Sequence, residues 1–431
     1  MIEASPLLYP LMLLVFGLGY IAIIFEYNIR VNKTAVALLI AVLCWTVYFS
    51  FSSLSLDKDL EELNGHLSSV SQIIFFLMGA MTLVELIDSH KGFKIVTDVI
   101  KTTSKRKMLW IVSFLAFFLS AILDNLTTTI LMVSLLRKMI PTRKDRFLLS
   151  CIVVFAANAG GAWTPIGDVT TTMLWIGGQL SSLKVIIALF IPSLVSLLVP
   201  LLWFSIREKG EYPQLEEDEV DTVPEPGARL VFWLGITALV MVPVFKTLTG
   251  LPPFMGVLIA LAMLWLVTDI LHHKYEHRQH LRVPTILTKI DTSGVLFFLG
   301  ILLCINALET AGILNEVALW LEKEVGNLPL MATLIGIFSA IIDNVPLVAG
   351  TMGMYPLSQF PMDSSLWHMI AYAAGTGGSL LLIGSSAGVA LMGMEKIDFV
   401  AYMKKMTLPV LVGYLAGMAA YLLQQHLLGV Q

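Results

Sequence analysis

Charge is the scarcest commodity in this chain. Only 13% of its 431 residues are Asp, Glu, Lys or Arg, against about 25% in an ordinary soluble domain. So few ionised side chains cannot clothe a chain of this length in water, which excludes a soluble enzyme. Cysteine is nearly absent too. Cys44, Cys151 and Cys304 each lie inside an apolar run, which argues against a disulfide framework or a thiolate metal site and leaves them as small core residues. The apolar runs hold neither a metal-binding histidine cluster nor a Ser/His/Asp set, so a membrane-embedded enzyme finds no support. The first ten residues lack a positive stretch, and no small-residue cleavage site precedes the next apolar run. The first run is therefore expected to be a retained helix. No cofactor and no nucleic-acid partner is expected, and the net charge of −4 decides nothing.

What the chain has in abundance is apolar length. It is 57% hydrophobic, with a mean hydropathy of +0.83. A spanning helix needs about 20 such residues, and runs of that kind occur at 6–25, 33–54, 69–88, 147–177, 184–205, 229–249, 254–271, 292–311, 366–393 and 406–426. The expected fold class is an all-α polytopic membrane protein with about ten transmembrane helices. Two further stretches, 108–136 and 329–354, could either cross or enter and return on one side.

Basic residues decide between these. If neither stretch crosses and the N-terminus is outside, 23 of the 27 Lys and Arg residues fall on the inner side, leaving Lys58, Lys184, Lys246 and Lys323 outside. If both crossed, the tally would be 14 against 13. The positive-inside rule favours two re-entrant hairpins.

Self-comparison adds a repeat. Ser120-Ala-Ile-Leu-Asp-Asn-Leu126 returns as Ser339-Ala-Ile-Ile-Asp-Asn-Val345, and Ala156-Ala-Asn-Ala-Gly-Gly161 returns as Ala373-Ala-Gly-Thr-Gly-Gly378. Phe75-Phe-Leu77 likewise matches Phe297-Phe-Leu299. The expected organisation is a first repeat at 1–205, an acidic cytoplasmic linker at 206–228 and a second repeat at 229–431. Five crossings per repeat give the halves opposite orientation, an architecture of transporters that bind cargo where discontinuous helices meet.

Both hairpins carry Asp-Asn in their apolar centres, at Asp124-Asn125 and Asp343-Asn344. A carboxylate at that depth costs about 2.5–3.5 kcal/mol and needs a partner, a cavity or a proton; each could also cap the second helix of its hairpin. The runs 147–177 and 366–393 are expected to be broken helices. Asn158-Ala-Gly-Gly-Ala-Trp-Thr-Pro-Ile-Gly-Asp168 sets glycines and a proline in mid-run, and Gly375-Thr-Gly-Gly-Ser-Leu-Leu-Leu-Ile-Gly-Ser-Ser386 has the same character with Ser385 in place of Asp168. Carboxylate, amide, hydroxyl and carbonyl oxygens suit an alkali or alkaline-earth cation. A buried carboxylate that takes either a cation or a proton is the chemistry of an exchanger.

At these residues the chain resembles the NhaD family of sodium/proton antiporters, in the ion transporter superfamily that also holds sodium-coupled divalent-anion symporters and arsenite transporters. The resemblance implies scaffold and transport domains, a homodimer in the bilayer, and sodium sites at the hairpin tips. It implies that Asp124 and Asn125 bind Na+ or Li+, completed by Thr127 or Thr128 and by groups from Asn158 to Thr164, with Asp168 as a further proton carrier beside Asp124 and Asp343. Asp343, Asn344, Thr376, Ser385 and Ser386 would form the symmetry-related site. Symporter tips carry Ser-Asn-Thr; Asp-Asn-Leu and Asp-Asn-Val here repel an anion, which favours antiport over dicarboxylate symport or arsenite-type transport. The implied location is a bacterial inner membrane with both termini outside.

Weaker features have simpler readings. Glu85, Asp88 and Glu309 near span ends read as interfacial. His272, His273, His277 and His280 read as part of a basic cytoplasmic loop, and segments 89–107 and 312–328 as amphipathic stretches in the interface.

Overall fold

A computed structural model describes residues 7–97, 100, 102–140, 142–212, 225–397 and 399–428. Among them helices joined by turns and short loops make up the chain, with one isolated bridge between Ser104 and Glu211 and no strand. Six of the ten apolar runs form single long helices: α2 (Lys33–Phe51), α3 (Leu56–Ser89), α8 (Ser182–Arg207), α9 (Ala228–Thr249), α10 (Pro253–His272) and α11 (Thr292–Thr310). All six are long and apolar enough to cross a membrane, as is the stretch Phe399–Leu427. That stretch contains a π turn at Met403–Thr407 and leads into α17 (Leu408–Leu428). The preceding α1 (Leu8–Ile24) is shorter, at 17 residues. The molecule is a polytopic all-α membrane protein.

The remaining two runs are each split. The first gives α6 (Arg143–Gly161) and α7 (Val169–Ile176); the second gives α15 (Ser365–Gly377) and α16 (Ser386–Glu395). Glycine falls in both breaks and at their edges, and the first break also holds Pro165, residues that weaken helical hydrogen bonding. Every residue from Leu148 to Gly161, and every residue from Leu366 to Gly377, is buried. A helix apolar and buried on all sides belongs at the centre of its fold, and here two of them do.

The two ambiguous stretches are also paired helices. The first is α4 (Lys105–Ser120) and α5 (Asn125–Met139); the second is α13 (Leu328–Phe338) and α14 (Asn344–Met354). At 11 residues each, α13 and α14 are about 17 Å long, well short of a hydrocarbon core of about 30 Å. The arms of the first pair pack on each other, while α13 lies on α15 and α14 on α11.

Packing recurs between halves. α4 lies on α6 as α13 lies on α15, α1 on α2 as α9 on α10, and α2 on α11 as α10 on α3. Close approaches recur too. A Cβ on Gly160 would collide with the Phe117 carbonyl, and one on Gly377 with the Gly336 carbonyl. One on Gly167 would meet the Ser120 carbonyl 2.6 Å away, and one on Gly384 the Ser339 carbonyl at 2.5 Å. Glycine is required there because the broken helices touch hairpin backbone directly.

Residues 213–224, most of the expected acidic linker, lie outside the described residues. Ile313–Val325 forms a helix, α12. His272 departs from expectation: it is buried at the last turn of α10, its Nε2 3.0 Å from Nε2 of buried His90. All three cysteines are free and buried.

Candidate functional site

Four short-range caps build the centre. Asp124 caps α5, Asp168 caps α7, Asp343 caps α14 and Ser385 caps α16, each side chain accepting from a backbone N–H of the first turn. Capping satisfies donors that a helix start leaves free. The C-terminal ends of α4, α6, α13 and α15 meet the same breaks, and exposed carbonyls at such ends carry the partial negative charge that attracts a cation.

A chain of hydrogen bonds crosses the middle. Asn125 Nδ2 donates to Asp168 Oδ2 at 3.0 Å and to Asn158 Oδ1 at 2.9 Å. Asn158 Nδ2 donates in turn to Ser379 Oγ at 2.8 Å and Ser385 Oγ at 3.0 Å. Asp168 Oδ1 accepts from the backbone N–H and the hydroxyl of Thr170, both at 2.9 Å. Asn125, Asn158, Asp168, Ser379 and Ser385 are all buried. Beside this chain, Asp124 accepts from the Thr127 N–H at 2.8 Å and hydroxyl at 2.7 Å. Asp124, Asn125 and Thr127 line a cavity of about 280 Å³ with Ser386, Lys33 and Asp291.

Among the described residues no ion pair reaches Asp124 or Asp168. The hydroxyls of Ser120, Thr128, Thr129 and Thr171 are buried without a partner. Oxygen is therefore abundant, and the one basic side chain on the cavity wall, Lys33, is paired with Asp343 and not with Asp124 or Asp168.

The expected first set is largely brought together: Asp124, Asn125, Thr127, Asn158 and Asp168 meet as described, Thr164 donates to the Ala121 carbonyl at the hairpin tip at 2.7 Å, and Thr128 is buried nearby in the chain. The second set does not assemble as a mirror image. Ser385 turns toward Asn158, and Ser386 faces the cavity holding Asp124. Thr376 spends its hydroxyl on the Tyr372 carbonyl one turn back. Asn344 is buried at the start of α14, and Asp343 pairs with Lys33, 3.6 Å away. Three participants went unread in the sequence. Ser379 lies in the second glycine-rich motif but replaces an alanine, Ala162, of the first. Thr170 is signalled only by its position two residues after Asp168, and Lys33 by nothing local.

Known proteins match along most of the chain. A family model described as citrate transporter matches residues 20–371. Sodium/proton antiporter 1 of Arabidopsis thaliana is 54% identical over 420 residues, covering 96% of this chain and 72% of the relative. Sodium/proton antiporter 2 of the same plant is 50% identical, covering 95% and 98%. The Na(+)/H(+) antiporter NhaD of Vibrio cholerae is 30% identical, covering 96% and 91%.

Proposed function

The chain belongs to the family that the citrate transporter model describes and to its group of NhaD-type sodium/proton antiporters, and from that membership we propose that it exchanges Na+ or Li+ for H+ across its membrane. One observation carries the reading: Asp124 and Asp168 sit among hydroxyl and amide oxygens, and among the described residues no ion pair reaches either. An ionised carboxylate at membrane depth must be neutralised. An alkali cation or a proton can do it, and each disfavours the other on the same oxygens. Opening that site to alternate sides gives exchange, with Na+ leaving the cell as protons enter.

The site residues fall into roles. Asp124 and Asp168 are the cation ligands and proton carriers, with Asn125 positioned between them by its bonds to Asp168 and Asn158. Thr127, and the unpartnered Thr128 hydroxyl, supply neutral oxygens. The symport of a dicarboxylate, which the name of the family model suggests, is disfavoured by the same carboxylates, since uncompensated negative charge repels an anion.

The proposed organisation is two inverted repeats, 1–205 and 229–431, with re-entrant hairpins in a moving transport domain held by a scaffold. Short hairpin arms and the recurrence of packing between halves support it. A homodimer is proposed with it. The proposed membrane is a bacterial inner membrane with both termini outside; the plant relatives allow a plant membrane with the same orientation.

Everted vesicles with an imposed pH gradient test the function. Na+ or Li+ should dissipate the gradient, and Asp124→Asn or Asp168→Asn should weaken that response at least about tenfold, equivalent to roughly 1.4 kcal/mol of lost binding. Sodium-driven dicarboxylate uptake without cation-induced proton movement would overturn the reading.

A further inference from the structure

The two hairpin tips share Asp-Asn but differ in the residue that follows two positions on. Thr127 gives Asp124 both an N–H and a hydroxyl; the equivalent position in the second tip is Pro346, which has neither. Among the described residues Asp343 keeps as a hydrogen-bond donor only the Val345 N–H, accepted by Oδ1 at 3.2 Å. Its Oδ2 faces the Lys33 ammonium at 3.6 Å. Lys33 opens α2, where a positive charge opposes the helix dipole, so the helix itself gives no reason for a lysine side chain to stay there. Its ammonium also lies 4.5 Å from the ring centre of Phe297 on α11, a cation–π contact that fixes it from a second side. Both partners of the pair are largely shielded, with side-chain exposures of 25% for Lys33 and 14% for Asp343.

We infer that the Lys33 ammonium is a built-in cation for Asp343, occupying the second hairpin tip so that transported Na+ loads only at the Asp124 side in this conformation. This rests on the antiport reading and deepens it. Lys33 belongs to α2, which packs on α1 and α11, whereas Asp343 belongs to the tip of the second hairpin. A displacement of that tip from α2 would strip Asp343 of its partner and leave a carboxylate needing a cation or proton. Lys33 is thus a positioning residue that sets how many sites are open to cargo.

The test is equilibrium binding of radiolabelled Na+ to purified full-length protein in detergent, counted per folded chain. Lys33→Gln should raise saturating Na+ occupancy above wild type, and Lys33→Arg, which keeps a cation there, should return it to the wild-type value. Asp343→Asn added to Lys33→Gln should abolish the gain. Equal or lower occupancy in Lys33→Gln overturns the inference, because a merely structural lysine would change the yield of folded protein and not the cations bound per chain. Failure of the underlying reading looks different: the wild-type protein itself would neither bind Na+ nor exchange it for protons.

Discussion

Asn158 holds together groups that are far apart in sequence, accepting from Asn125 and donating to Ser379 and Ser385. Asn158→Ala strands one donor and two hydroxyls in a buried site. At about 1–3 kcal/mol for each unsatisfied group, the variant should lower the thermal unfolding midpoint of detergent-purified protein and weaken cation-induced proton movement together. Ser379→Ala, which removes one acceptor of two, should do the same to a smaller degree. These partners could not be read from the chain. Asp124 and Asp168 could, because a carboxylate inside an apolar run is anomalous wherever it folds; a serine in such a run is ordinary, and only three-dimensional packing brings Ser379 to Asn158. The histidine pair was hidden for a like reason. His90 Nδ1 lies 2.7 Å from the Leu86 carbonyl and must carry a proton there, so His90 Nε2 accepts from His272. Burial holds His90 down to about 4, against about 6.5 in an unfolded chain. The folded state then binds fewer protons than the unfolded one, so stability is full above pH of about 6.5 and declines as pH falls toward about 4. Thermal unfolding across that window should show the loss, and His90→Gln should flatten it.

Helix ends do most of the construction at the next scale. Both expected breaks and both expected hairpin turns occur where the sequence places glycine, proline or Asp-Asn, because caps and breakers act over a few residues and need no distant partner. What holds these elements against one another is less local. Glu395, buried at the last turn of α16, accepts from Arg137 of α5 at 2.7 Å and from Arg146 of α6 at 2.8 Å. Removing one member of a buried ion cluster leaves uncompensated charge and costs about 3–5 kcal/mol. Glu395→Ala should therefore reduce folded yield sharply, as read by size-exclusion chromatography, while Lys144→Ala, at the exposed start of α6, should not. Glycine contacts give a companion test. Gly160→Ala and Gly377→Ala should each push a broken helix off its hairpin and lower stability, whereas Gly65→Ala, in open space on α3, should raise it slightly through helix propensity.

For the whole molecule, orientation is the property most open to direct measurement. The proposed orientation, from the placement of basic residues, has both termini outside. Reporter tags at either end of the chain should be reached by an impermeant reagent in intact cells, and a cysteine at Arg143 should not be. An even distribution of labelling would overturn the two-hairpin topology. Apolar length and charge placement made the class of fold legible because the bilayer constrains every crossing in the same way. The partnership between the two halves was not legible, since repeat matching predicts symmetry and the centre is asymmetric: the second tip holds a lysine and the second broken helix serves the first.

That last arrangement bears on the history of the two halves. Copies of a duplicated segment ordinarily drift apart one substitution at a time, each judged within its own half. In the proposed two-repeat organisation Asn158 donates to two hydroxyls of the other repeat, so a change at Ser379 or Ser385 should be felt at Asn125 and Asp168. The ligands proposed for the first half are thus braced by hydroxyls of the second. Two genes encoding the halves separately should restore exchange only when expressed together, and substitutions at these positions should be tolerated in pairs across the halves more often than singly.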